Sequence, residues 1–533
     1  MVKRIKDPLY GYIEVLDFVQ KVIDTSVFQR LRDIVQTSYM PLYPSATHNR
    51  FAHSIGVYHL GTLALCGLKA NLDSIEIKKF EAYFKVFQLA CLLHDVGHAP
   101  FSHTGEQYYL KNSERKDFHE ELVKLVKDEQ LGKEISENGY KAAPHELVSA
   151  IVGINEFKNY LENKTAFFAR CILGYKYTID LDSEKRIQNS LIELLNSKVI
   201  DVDKLDYLIR DSYYTGFDTV KIDYHRLLSS LCFVGNDSEY SIGFNKSAIS
   251  VLENVVYAHD AERKWIQNHP SVIYELYLME QILDRIIKEC FKNECFDICL
   301  LSEEGKDISG YGKIRLLSDS SIIYLLKNIK TDNFIDEFLN RNKRKKPLWK
   351  SESEFNAIFQ DDEISIVMDE FEKLEKYIKK LGFPFVINSK VKEKCESEIS
   401  KLEGVLNDST DSKKYFLVAE WKKYLEMIMM ILDLLDENEK ESGIVIRFTD
   451  QFVSNFSKKE FSEIKIAFPN LTEPCDFGKV TSTLKPQFTI HQKKFFYIFS
   501  PHGNTDINIK KLNKELLQFA QKIKNEKSSK RFK

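Results

Sequence analysis

Several features of secreted, membrane-spanning and zinc-binding proteins are missing from this sequence. The nine cysteines include no CxxC pair, and the loose group Cys290, Cys295 and Cys299 fits no usual zinc spacing. Cys66 and Cys91 lie in apolar stretches, where a free thiol acts as a small hydrophobic group. The N-terminus MVKRIKDPLYG lacks the apolar core of a signal peptide, and there is no run of about 18 uninterrupted apolar residues. We therefore expect a soluble cytoplasmic protein with reduced cysteines and no membrane partner.

The sequence also lacks an excess of charge of either sign. Lysine and arginine total 76 and aspartate and glutamate total 79, so the formal net charge is -3. This balance gives no overall field toward nucleic acid or an anionic membrane, so a site for a polyanion must be local. At 533 residues the chain is longer than one hydrophobic core usually serves, which predicts a large catalytic domain with appended units.

Helical periodicity dominates the first half of the sequence, from about Lys3 to Ile287. Apolar residues recur with helical spacing in VLDFVQKVI, FAHSIGVYHLGTLALCGL and VFQLACLLHDVGH. The predicted helix that ends at Asp95 is apolar nearly all round and should be central, and Gly97 with Pro100 stops it. We predict a mainly α fold.

The last third of the sequence mixes helix and strand patterns. DEFEKLEKYIKKL and FLVAEWKKYLEMIMMILDLLDENEK are typical of amphipathic helices, whereas SGIVIRF, SEIKIAF, PQFTIH and KKFFYIFS have the alternation or β-rich composition of strands. IKKLNKELLQFAQKIKNEK predicts a closing helix. Together these patterns predict a small α+β unit at the C-terminal end.

Histidine is concentrated in one part of the chain. Eight of the thirteen histidines fall between His48 and His145, although histidine is favoured neither in cores nor in helices. Two imidazoles and two carboxylates, on His53, His94, Asp95 and Asp203, match the mixed nitrogen and oxygen ligand set of one divalent metal with open positions. Each of these residues alone would more often be a satisfied polar group, and only tertiary packing can bring them together.

Five ordered segments carry a family resemblance. They are DPLYGYIEV, DTSVFQRLRDIVQ, ATHNRFAHSIGVYHL, LLHDVGHAPFSHTGE and DVDKLDYLIRD, spread from Asp7 to Asp211. The chain resembles the HD-domain phosphohydrolases, and within them the branch that includes the deoxynucleoside triphosphate triphosphohydrolases. The resemblance implies an all-helical HD core over residues 1–300 and a helical extension over 301–440, and it fades near Glu354. The small α+β unit would then occupy 441–533.

The resemblance implies a metal centre. His53, His94, Asp95 and Asp203 would hold one divalent ion, and manganese, iron, zinc, nickel and magnesium all stay open. Such an ion polarises a phosphate oxygen and lowers the pKa of a bound water toward neutrality.

The same resemblance implies a group of acid and base residues. His98 and His103 follow the metal pair, and His103 would protonate the leaving 5′ oxygen with Glu106 as its partner. Alternatively, Ser102 and Glu106 simply cap and charge a helix turn. Of two His-Glu dipeptides, His145 in PHELVSAIV matches the phosphate-facing histidine, which leaves His119 as an expected surface residue.

Substrate contacts are also implied by the resemblance. Arg50 matches a phosphate-binding arginine, with a helix-capping ion pair as the alternative. The remaining matches are Lys204 and Tyr207 to phosphate, Asp211 to a sugar 3′-hydroxyl and Gln36 to the sugar. Asp201, Asp206 and Arg210 are interpreted as an ion-pair network that supports their helix.

One segment departs from the family pattern. If His269 in VVYAHDAERKWIQNHPSV aligns with the family histidine, His259 replaces an arginine and Gln267 replaces a tyrosine, and Arg263 could restore the cation. Thr37, beside Gln36, lacks the bulk often found there. Triphosphate preference and the exclusion of ribonucleotides therefore both stay open.

Regulation and assembly are expectations from family habit. Asp24, Gln29 and Arg32 match positions that bind a regulatory nucleotide between subunits in animal members, and a homo-oligomer, a dimer or tetramer, is expected. Such matches also occur because this segment packs the fold.

The function that these residues favour is hydrolysis of a deoxynucleoside triphosphate to the deoxynucleoside and triphosphate. A nearer alternative is hydrolysis of another nucleotide or nucleic-acid phosphoester. A protein that binds nucleotide or nucleic acid for regulation without turnover is the alternative of a different class. A complete ligand set with His103 and Glu106 argues against it, because binding alone needs no acid pair.

Overall fold

The structure is a computed structural model, which describes most of the first 359 residues and parts of the remainder. The described residues are 2–109, 115–179, 181–197, 200–217, 221–234, 241–359, 363, 386–387, 393, 395–402, 422, 425–434, 443–449, 462–482, 496–501 and 509–530. The predicted helix DEFEKLEKYIKKL and the predicted strand PQFTIH lie outside them.

The chain packs as two compact units, each made of three segments. The first unit comprises Met1–Glu262, Glu275–Ile335 and Val453–Pro486, and the second comprises Arg263–Tyr274, Asp336–Phe452 and Gln487–Lys533. The units are therefore defined by packing, and each combines segments that are far apart in the sequence. The boundaries near residues 300 and 440 stay predictions.

Helices make up most of the first unit, as the periodicity predicts. They are α1 Asp17–Ile23, α2 Ser26–Gln29, α3 Arg50–Lys69, α4 Ser74–Leu93, α5 His103–Glu106, α6 Arg115–Val126, α7 Glu129–Glu137, α8 Pro144–Phe157, α9 Thr165–Leu173, α10 Ser183–Leu195, α11 Val202–Thr215, α12 Tyr224–Ser229, α13 Ile249–Glu262, α14 Pro270–Glu289, which begins in the second unit, and α15 Asp319–Asn328. The prediction of a mainly α fold is confirmed.

Helices α3 and α4 pack against each other in the core, and each begins at a side-chain cap. Asn49 accepts a hydrogen bond from the N–H of Ala52, and Asp73 forms a capping box with Glu76. By length and mean hydropathy, α3 is the one helix among the described residues that could cross a membrane, but 67% of its apolar window is buried inside the protein. A buried core helix meets the same criteria.

The first unit also contains strands that helical periodicity did not predict. β1 Lys3–Asp7 pairs antiparallel with β2 Gly11–Val15, and Gly11 closes the turn at φ 75°, where glycine avoids the Cβ penalty. A four-stranded sheet combines β3 Leu231–Val234 and β4 Ser241–Asn245 with two strands from later in the chain. Short β5 Lys306–Ile308 and β6 Gly312–Ile314 form a separate hairpin.

The predicted C-terminal strands divide between the two units. SEIKIAF supplies β10 Lys465–Ala467, which pairs with β4 of the first unit and with β11 Cys475–Asp476. The second unit instead contains a sheet in the order β7-β12-β9-β8. Its strands are β7 Lys346–Pro347, β8 Val386–Ile387, β9 Ile444–Phe448 and β12 Phe496–Ser500.

Aromatic packing supports the second unit. Trp349 is fully buried, donates from Nε1 to the carbonyl of Phe496 at 2.8 Å and meets Phe355 and Phe359 edge-on. Aromatic pairs of this geometry stabilise a core beyond the area that they bury. The later helices of the chain are α16 Asn333–Asn340, which crosses the unit boundary, α17 Glu352–Ile358, α18 Phe477–Val480 in the first unit, and α19 Ile509–Lys530.

Candidate active site

The four predicted metal ligands come from three helices of the first unit. His53 lies in the first turn of α3, His94 and Asp95 directly follow α4, and Asp203 lies in the first turn of α11. The start of α11 is fixed by Asp201, whose side chain accepts from the N–H of Lys204. Each ligand therefore sits at a helix end, where the backbone gives it a defined direction.

The four side chains converge. Oδ1 of Asp203 lies 3.0 Å from Nε2 of His53 and 3.5 Å from Nε2 of His94. Both oxygens of Asp95 take part, since Oδ2 lies 3.4 Å from Nε2 of His53 and Oδ1 lies 3.4 Å from Nε2 of His94. Ligand atoms of His53, His94 and Asp203 all lie within 4.8 Å of one another, which is close enough to share one ion.

The other ring nitrogen of each histidine fixes its tautomer. Nδ1 of His94 donates to the carbonyl of Cys91 at 2.9 Å, and Nδ1 of His53 donates to Oδ2 of Asp206 at 2.8 Å. Both Nε2 atoms therefore face the common centre, as in a carboxylate-histidine-metal arrangement. The donor set of two imidazoles and two carboxylates fits one divalent transition metal or magnesium.

Asp206 is the shared acceptor of a buried hydrogen-bond network that includes His53. Arg210 donates to both of its oxygens at 2.8 and 3.0 Å, and Tyr10 donates its hydroxyl at 2.7 Å. Arg210 also reaches Asp7 at 3.2 Å. The sequence interpretation of Asp206 and Arg210 as helix support missed the direct link to a metal ligand, although Asp203, Asp206 and Arg210 lie on one face of α11.

The electrostatics of this centre favour positive charge. Burial lowers the pKa of His53, but Asp203, Asp206 and Asp95 outweigh burial and raise it to about 9. Burial raises the pKa of Asp95, yet Arg50 and His94 hold it well below its usual range. The carboxylates are therefore ionised and ready to bind a cation.

The loop after the metal ligands is held close to α8. The N–H of Gly97 donates to Oγ of Ser149 at 2.8 Å, and a Cβ at this position would lie 2.3 Å from the backbone nitrogen of Ser149. Only glycine fits this approach. The contact aims His98 back toward the metal centre, where its Nε2 lies 3.1 Å from Oδ1 of Asp95.

The carboxylate of Glu106 lies within 3.0 Å of three imidazoles. Its Oε2 accepts a hydrogen bond from Nδ1 of His145 at 2.9 Å, and its Oε1 lies 3.0 Å from Nδ1 of His98 and 2.8 Å from Nδ1 of His103. These four side chains are near enough to hold an ion. However, the rings of His98 and His145 are stacked with centroids 4.3 Å apart and planes 10° apart, so their in-plane lone pairs cannot point at one metal. We interpret the group as a carboxylate that orients His145 through a hydrogen bond and lies close to His98 and His103, whereas its Oε1 and both ring nitrogens of His98 have no hydrogen-bond partner among the described residues.

The three imidazoles differ in exposure and charge. Burial lowers the pKa of His98 to about 4, with a contribution from Arg50. Burial also lowers the pKa of His145, but Glu106 outweighs it and raises the value to about 9. The side chain of His103 is 69% exposed and can meet a substrate. His119, in contrast, is buried against Tyr140, so the expectation of a surface residue was wrong.

Arg50 joins the metal centre to the histidine group. Nη1 donates to Oδ2 of Asp95 at 2.7 Å, Nε donates to Oγ of Ser102 at 3.0 Å, and Nη2 lies 3.4 Å from Nε2 of His103. The guanidinium is buried. It therefore forms an ion pair with a metal ligand and borders the space beside His103.

A small chamber of about 80 Å³ opens beside the metal ligands. Its lining includes His94, His145, Asp203 and Lys204. Lys204 donates to the carbonyl of Ser197 at 2.8 Å and contacts Asp201. Burial lowers the pKa of Lys204, but Asp201 outweighs it and raises the value above its usual range. The chamber thus presents two cationic side chains, His145 and Lys204, together with the carboxylates of Glu146, Asp201 and Asp203.

The other predicted substrate residues have different surroundings. Gln36 is buried, and its Oε1 has no hydrogen-bond partner among the described residues. Asp211 accepts from Nε2 of His48 at 2.7 Å, a partner that the sequence did not indicate. Tyr207 is half-buried on α11. Arg263 begins the π-helical turn Arg263–Gln267 and belongs to the second unit.

The predicted regulatory residues bond to near neighbours. Asp24 accepts from Nε2 of Gln20 at 2.5 Å. Nε of Arg32 donates to Oε1 of Gln29 at 2.7 Å, and its guanidinium stacks over Phe51 at 3.6 Å. Asp24 and Arg32 are exposed.

The geometry around His53, His94, Asp95 and Asp203 agrees with what a family comparison finds. Residues 50–208, which include all four, match the model of the HD domain. The chain contains an HD domain. The loop with His98, His103 and Glu106 and the start of α8 with His145 lie within the same span, so both groups of side chains belong to this domain.

Curated relatives of the HD-domain chain include named triphosphohydrolases. The deoxynucleoside triphosphate triphosphohydrolase SAMHD1 homolog of Dictyostelium discoideum is 32% identical over 269 residues, 48% of this chain and 46% of that protein. Human deoxynucleoside triphosphate triphosphohydrolase SAMHD1 is 29% identical over 302 residues, 54% of this chain and 44% of that protein. An uncharacterized protein of Mycoplasma genitalium is 28% identical over 327 residues, 56% of this chain and 68% of that protein. The chain spans about half the length of the two named enzymes.

Two solved structures share the fold. A hypothetical protein from Aquifex aeolicus has a TM-score of 0.53 and 20% identity over 97% of this chain and 100% of that one. A phosphohydrolase from Bacteroides thetaiotaomicron has a TM-score of 0.53 and 18% identity over 94% and 99%. At these identities the likeness establishes the fold alone.

Proposed function

We propose that this chain is a metal-dependent phosphohydrolase that converts a deoxynucleoside triphosphate to the deoxynucleoside and triphosphate. The observation that carries the proposal is the placement of an exposed histidine, His103, beside a buried carboxylate, Glu106, one loop away from a two-histidine, two-aspartate metal centre. The names of the triphosphohydrolases that the chain resembles point to the same substrate class.

The reaction needs a positioned proton donor at the leaving oxygen. His53, His94, Asp95 and Asp203 would hold a divalent ion, which would supply Lewis-acid polarisation of phosphate and lower the pKa of a bound water. Water attacks the α-phosphorus and the bond to the 5′ oxygen breaks. His103 donates its proton to that oxygen, and Oε1 of Glu106 lies 2.8 Å from its Nδ1 as the partner carboxylate.

Cationic groups around the metal suit a triphosphate. His145 is charged near neutral pH because its pKa is about 9, and Lys204 shares the metal-side chamber with it. Arg50 offers a planar guanidinium at the border with His103. Charge-assisted hydrogen bonds from such groups bind phosphate oxygens.

Two buried groups support a sugar contact. Oε1 of Gln36 is an acceptor without a partner among the described residues, and a sugar hydroxyl is a donor that would satisfy it. Asp211 already accepts from His48, so we propose that a 3′-hydroxyl binds to the pair and not to a lone carboxylate. Thr37 lacks the bulk that would exclude a 2′-hydroxyl, so hydrolysis of ribonucleotides is one outcome that the test distinguishes.

Assembly and regulation complete the proposal. We expect a cytoplasmic homo-oligomer in which a regulatory nucleotide binds near Asp24, Gln29 and Arg32. Two of these side chains are exposed, which a site between subunits requires.

The decisive experiment is a panel of nucleotides with product analysis. Protein loaded with Mn²⁺ is incubated with each of the eight common nucleoside triphosphates, alone and with a second nucleotide, and products are separated by ion-pair chromatography. The proposal expects deoxynucleoside and triphosphate in equal amounts, and none from His103→Ala above about 1% of the parent rate. Release of phosphate or diphosphate would contradict the proposed bond cleavage. Binding without any product would favour the regulatory alternative.

A further inference from the structure

A buried arginine joins the metal-ligand loop to a segment more than two hundred residues later. Nη1 of Arg30 donates to the carbonyl of Leu317 at 2.7 Å, and Nη2 donates to the carbonyls of Val96 and His98 at 2.8 and 2.9 Å. Arg30 is 4% exposed. One planar guanidinium thus sets the distance between three main-chain positions, two of which flank Gly97.

Asp319 makes a matching connection from the same later segment. Its Oδ1 accepts from the N–H of Phe101 at 2.7 Å, and its Oδ2 accepts from the N–H of Val35 at 2.9 Å. Two amides from separate segments need two acceptor oxygens, which a carboxylate provides and an asparagine does not. Burial raises the pKa of Asp319 to about 7, so retaining a carboxylate here costs stability.

The backbone that Asp319 holds is strained. Phe101 and Ser102 are consecutive non-glycine residues in the left-handed region, at φ 59° and 52°. Such conformations are unfavourable for residues with a Cβ and persist only where the surroundings hold them. His103 begins α5 immediately after this pair, so the strained turn determines where His103 points.

The two segments that Asp319 joins, at Phe101 and at Val35, also meet at Ser102. Its hydroxyl donates to the carbonyl of Val35 and accepts from Nε of Arg50 at 3.0 Å. Arg50 in turn donates to Asp95 at 2.7 Å. A chain of contacts therefore leads from Asp319, through Val35 and Ser102, to a metal ligand.

We propose that Asp319, together with Arg30, is a positioning residue that fixes the loop from Val96 to Ser102, so that Arg50 is held against Asp95 and His103 beside Glu106. We call Arg30, Leu317 and Asp319 the loop clamp. The effect on turnover rests on the proposed function, whereas the effect on the loop does not.

Asp319→Asn tests the clamp, because asparagine keeps the volume and loses one acceptor. We expect amide exchange in peptides covering residues 96–104 and 33–38 to quicken about tenfold or more, with exchange in α3 and α4 unchanged. The Kd for Mn²⁺ in titration calorimetry should change less than about threefold, because His53 and His94 keep their Nδ1 partners. With the deoxynucleoside triphosphate that the nucleotide panel identifies as substrate, kcat should fall about tenfold or more while KM changes less than about threefold.

Asp307→Asn is the matched control, since Asp307 is an exposed carboxylate close by in the chain. It should leave exchange, Mn²⁺ binding and kcat unchanged. Wild-type exchange at 96–104 and 33–38 in a folded Asp319→Asn protein would overturn the proposal, and so would equal effects in Asp307→Asn. If the wild type hydrolyses no nucleotide, the proposed function fails and the exchange measurement still decides the role of the clamp.

Arg30→Lys tests the other half of the clamp and serves if Asp319→Asn does not fold. A lysine keeps the charge but cannot reach three carbonyls from a fixed plane. We expect about tenfold faster exchange at residues 96–99 and little change at 33–38. A folded Arg30→Lys protein with wild-type exchange at 96–99 would overturn the proposal.

Discussion

The Nε2 atoms of His53 and His94 lie 3.3 Å apart and face each other. Each ring carries its proton on Nδ1, because Asp206 and the carbonyl of Cys91 are acceptors there. Two neutral rings in these tautomers would point lone pairs at one another. Because the pKa of His53 is raised to about 9, a second proton on its Nε2 supplies positive charge between the two rings and Asp203 near neutral pH, and a metal ion bound here would replace that proton.

The link between Asp206 and His53 predicts an effect on metal affinity. Asp206→Asn weakens the acceptor for Nδ1 of His53 and leaves the buried Arg210 with Asp7, at 3.2 Å, as its remaining carboxylate partner. We expect the Kd for Mn²⁺ to rise by roughly 10–100-fold and the protein to lose roughly 3–5 kcal/mol of unfolding free energy, measured by calorimetry and denaturant unfolding. Tyr10→Phe is the control, since it removes one hydrogen bond to Asp206 and should cost only about 1 kcal/mol. Equal Mn²⁺ affinity in the Asp206→Asn and Tyr10→Phe proteins would show that Asp206 does not affect how strongly His53 binds the metal.

His103 should affect turnover alone. His103→Ala removes the proton donor but no metal ligand, so kcat for the nucleotide that the panel identifies as substrate should fall by roughly two or more orders of magnitude. Mn²⁺ content and KM should stay within about threefold of wild type. His225→Ala, at an exposed histidine on α12, should change none of these quantities. Unchanged turnover in purified His103→Ala would remove this residue from the mechanism.

Gly97 should not tolerate a side chain. In Gly97→Ala the new Cβ would meet the backbone nitrogen of Ser149 at 2.3 Å, so the ligand loop or α8 must shift. We expect a loss of about 1–3 kcal/mol in unfolding free energy together with lower kcat. Gly132→Ala is the control, because its Cβ meets only the Val123 side chain at 3.3 Å and alanine favours the helix. A Gly97→Ala protein as stable and active as Gly132→Ala would contradict the close approach.

The charge of His145 predicts a dependence of stability on pH. Its pKa in the folded protein is about 9, raised by Glu106 above its ordinary value of 6.5. The folded state therefore binds this proton more tightly than the unfolded state, and the resulting stability is complete below pH 6.5 and disappears as pH rises to 9. His145→Gln should flatten the fall in melting temperature over that interval. Parallel curves for the two proteins would exclude a raised pKa at His145.

Sequence patterns predicted the helical core because the apolar spacing in α3 and α4 is set by local burial. They also indicated which helix ends carry ligands, since Asp95 precedes the helix-stopping Gly97. The hairpin β1–β2 was missed, although KRIKD and GYIEV are separated by a turn that contains Gly11. Helical spacing in the following segment outweighed that short signal.

Contacts between distant segments could not be predicted from one sequence. His145 meets Glu106 from α8, 39 residues along the chain, and Arg30 bonds to a carbonyl 287 residues away. Neither contact leaves a periodic pattern in the sequence. A main-chain carbonyl can belong to any residue type, so the sequence does not mark it as a partner of Arg30. His119 was wrongly expected at the surface because the sequence around it is rich in charged residues, although one face of its helix, α6, is buried.

The account depends most on one ion bound by four side chains. Crystals of the protein soaked in Mn²⁺, with data collected at the manganese absorption edge, should give an anomalous peak between His53, His94, Asp95 and Asp203. The peak should be absent in Asp203→Ala and unchanged in Asp307→Ala, where the lost carboxylate is exposed. A wild-type map without a peak at these four side chains, or with the peak retained in Asp203→Ala, would contradict the metal centre and the hydrolysis built on it.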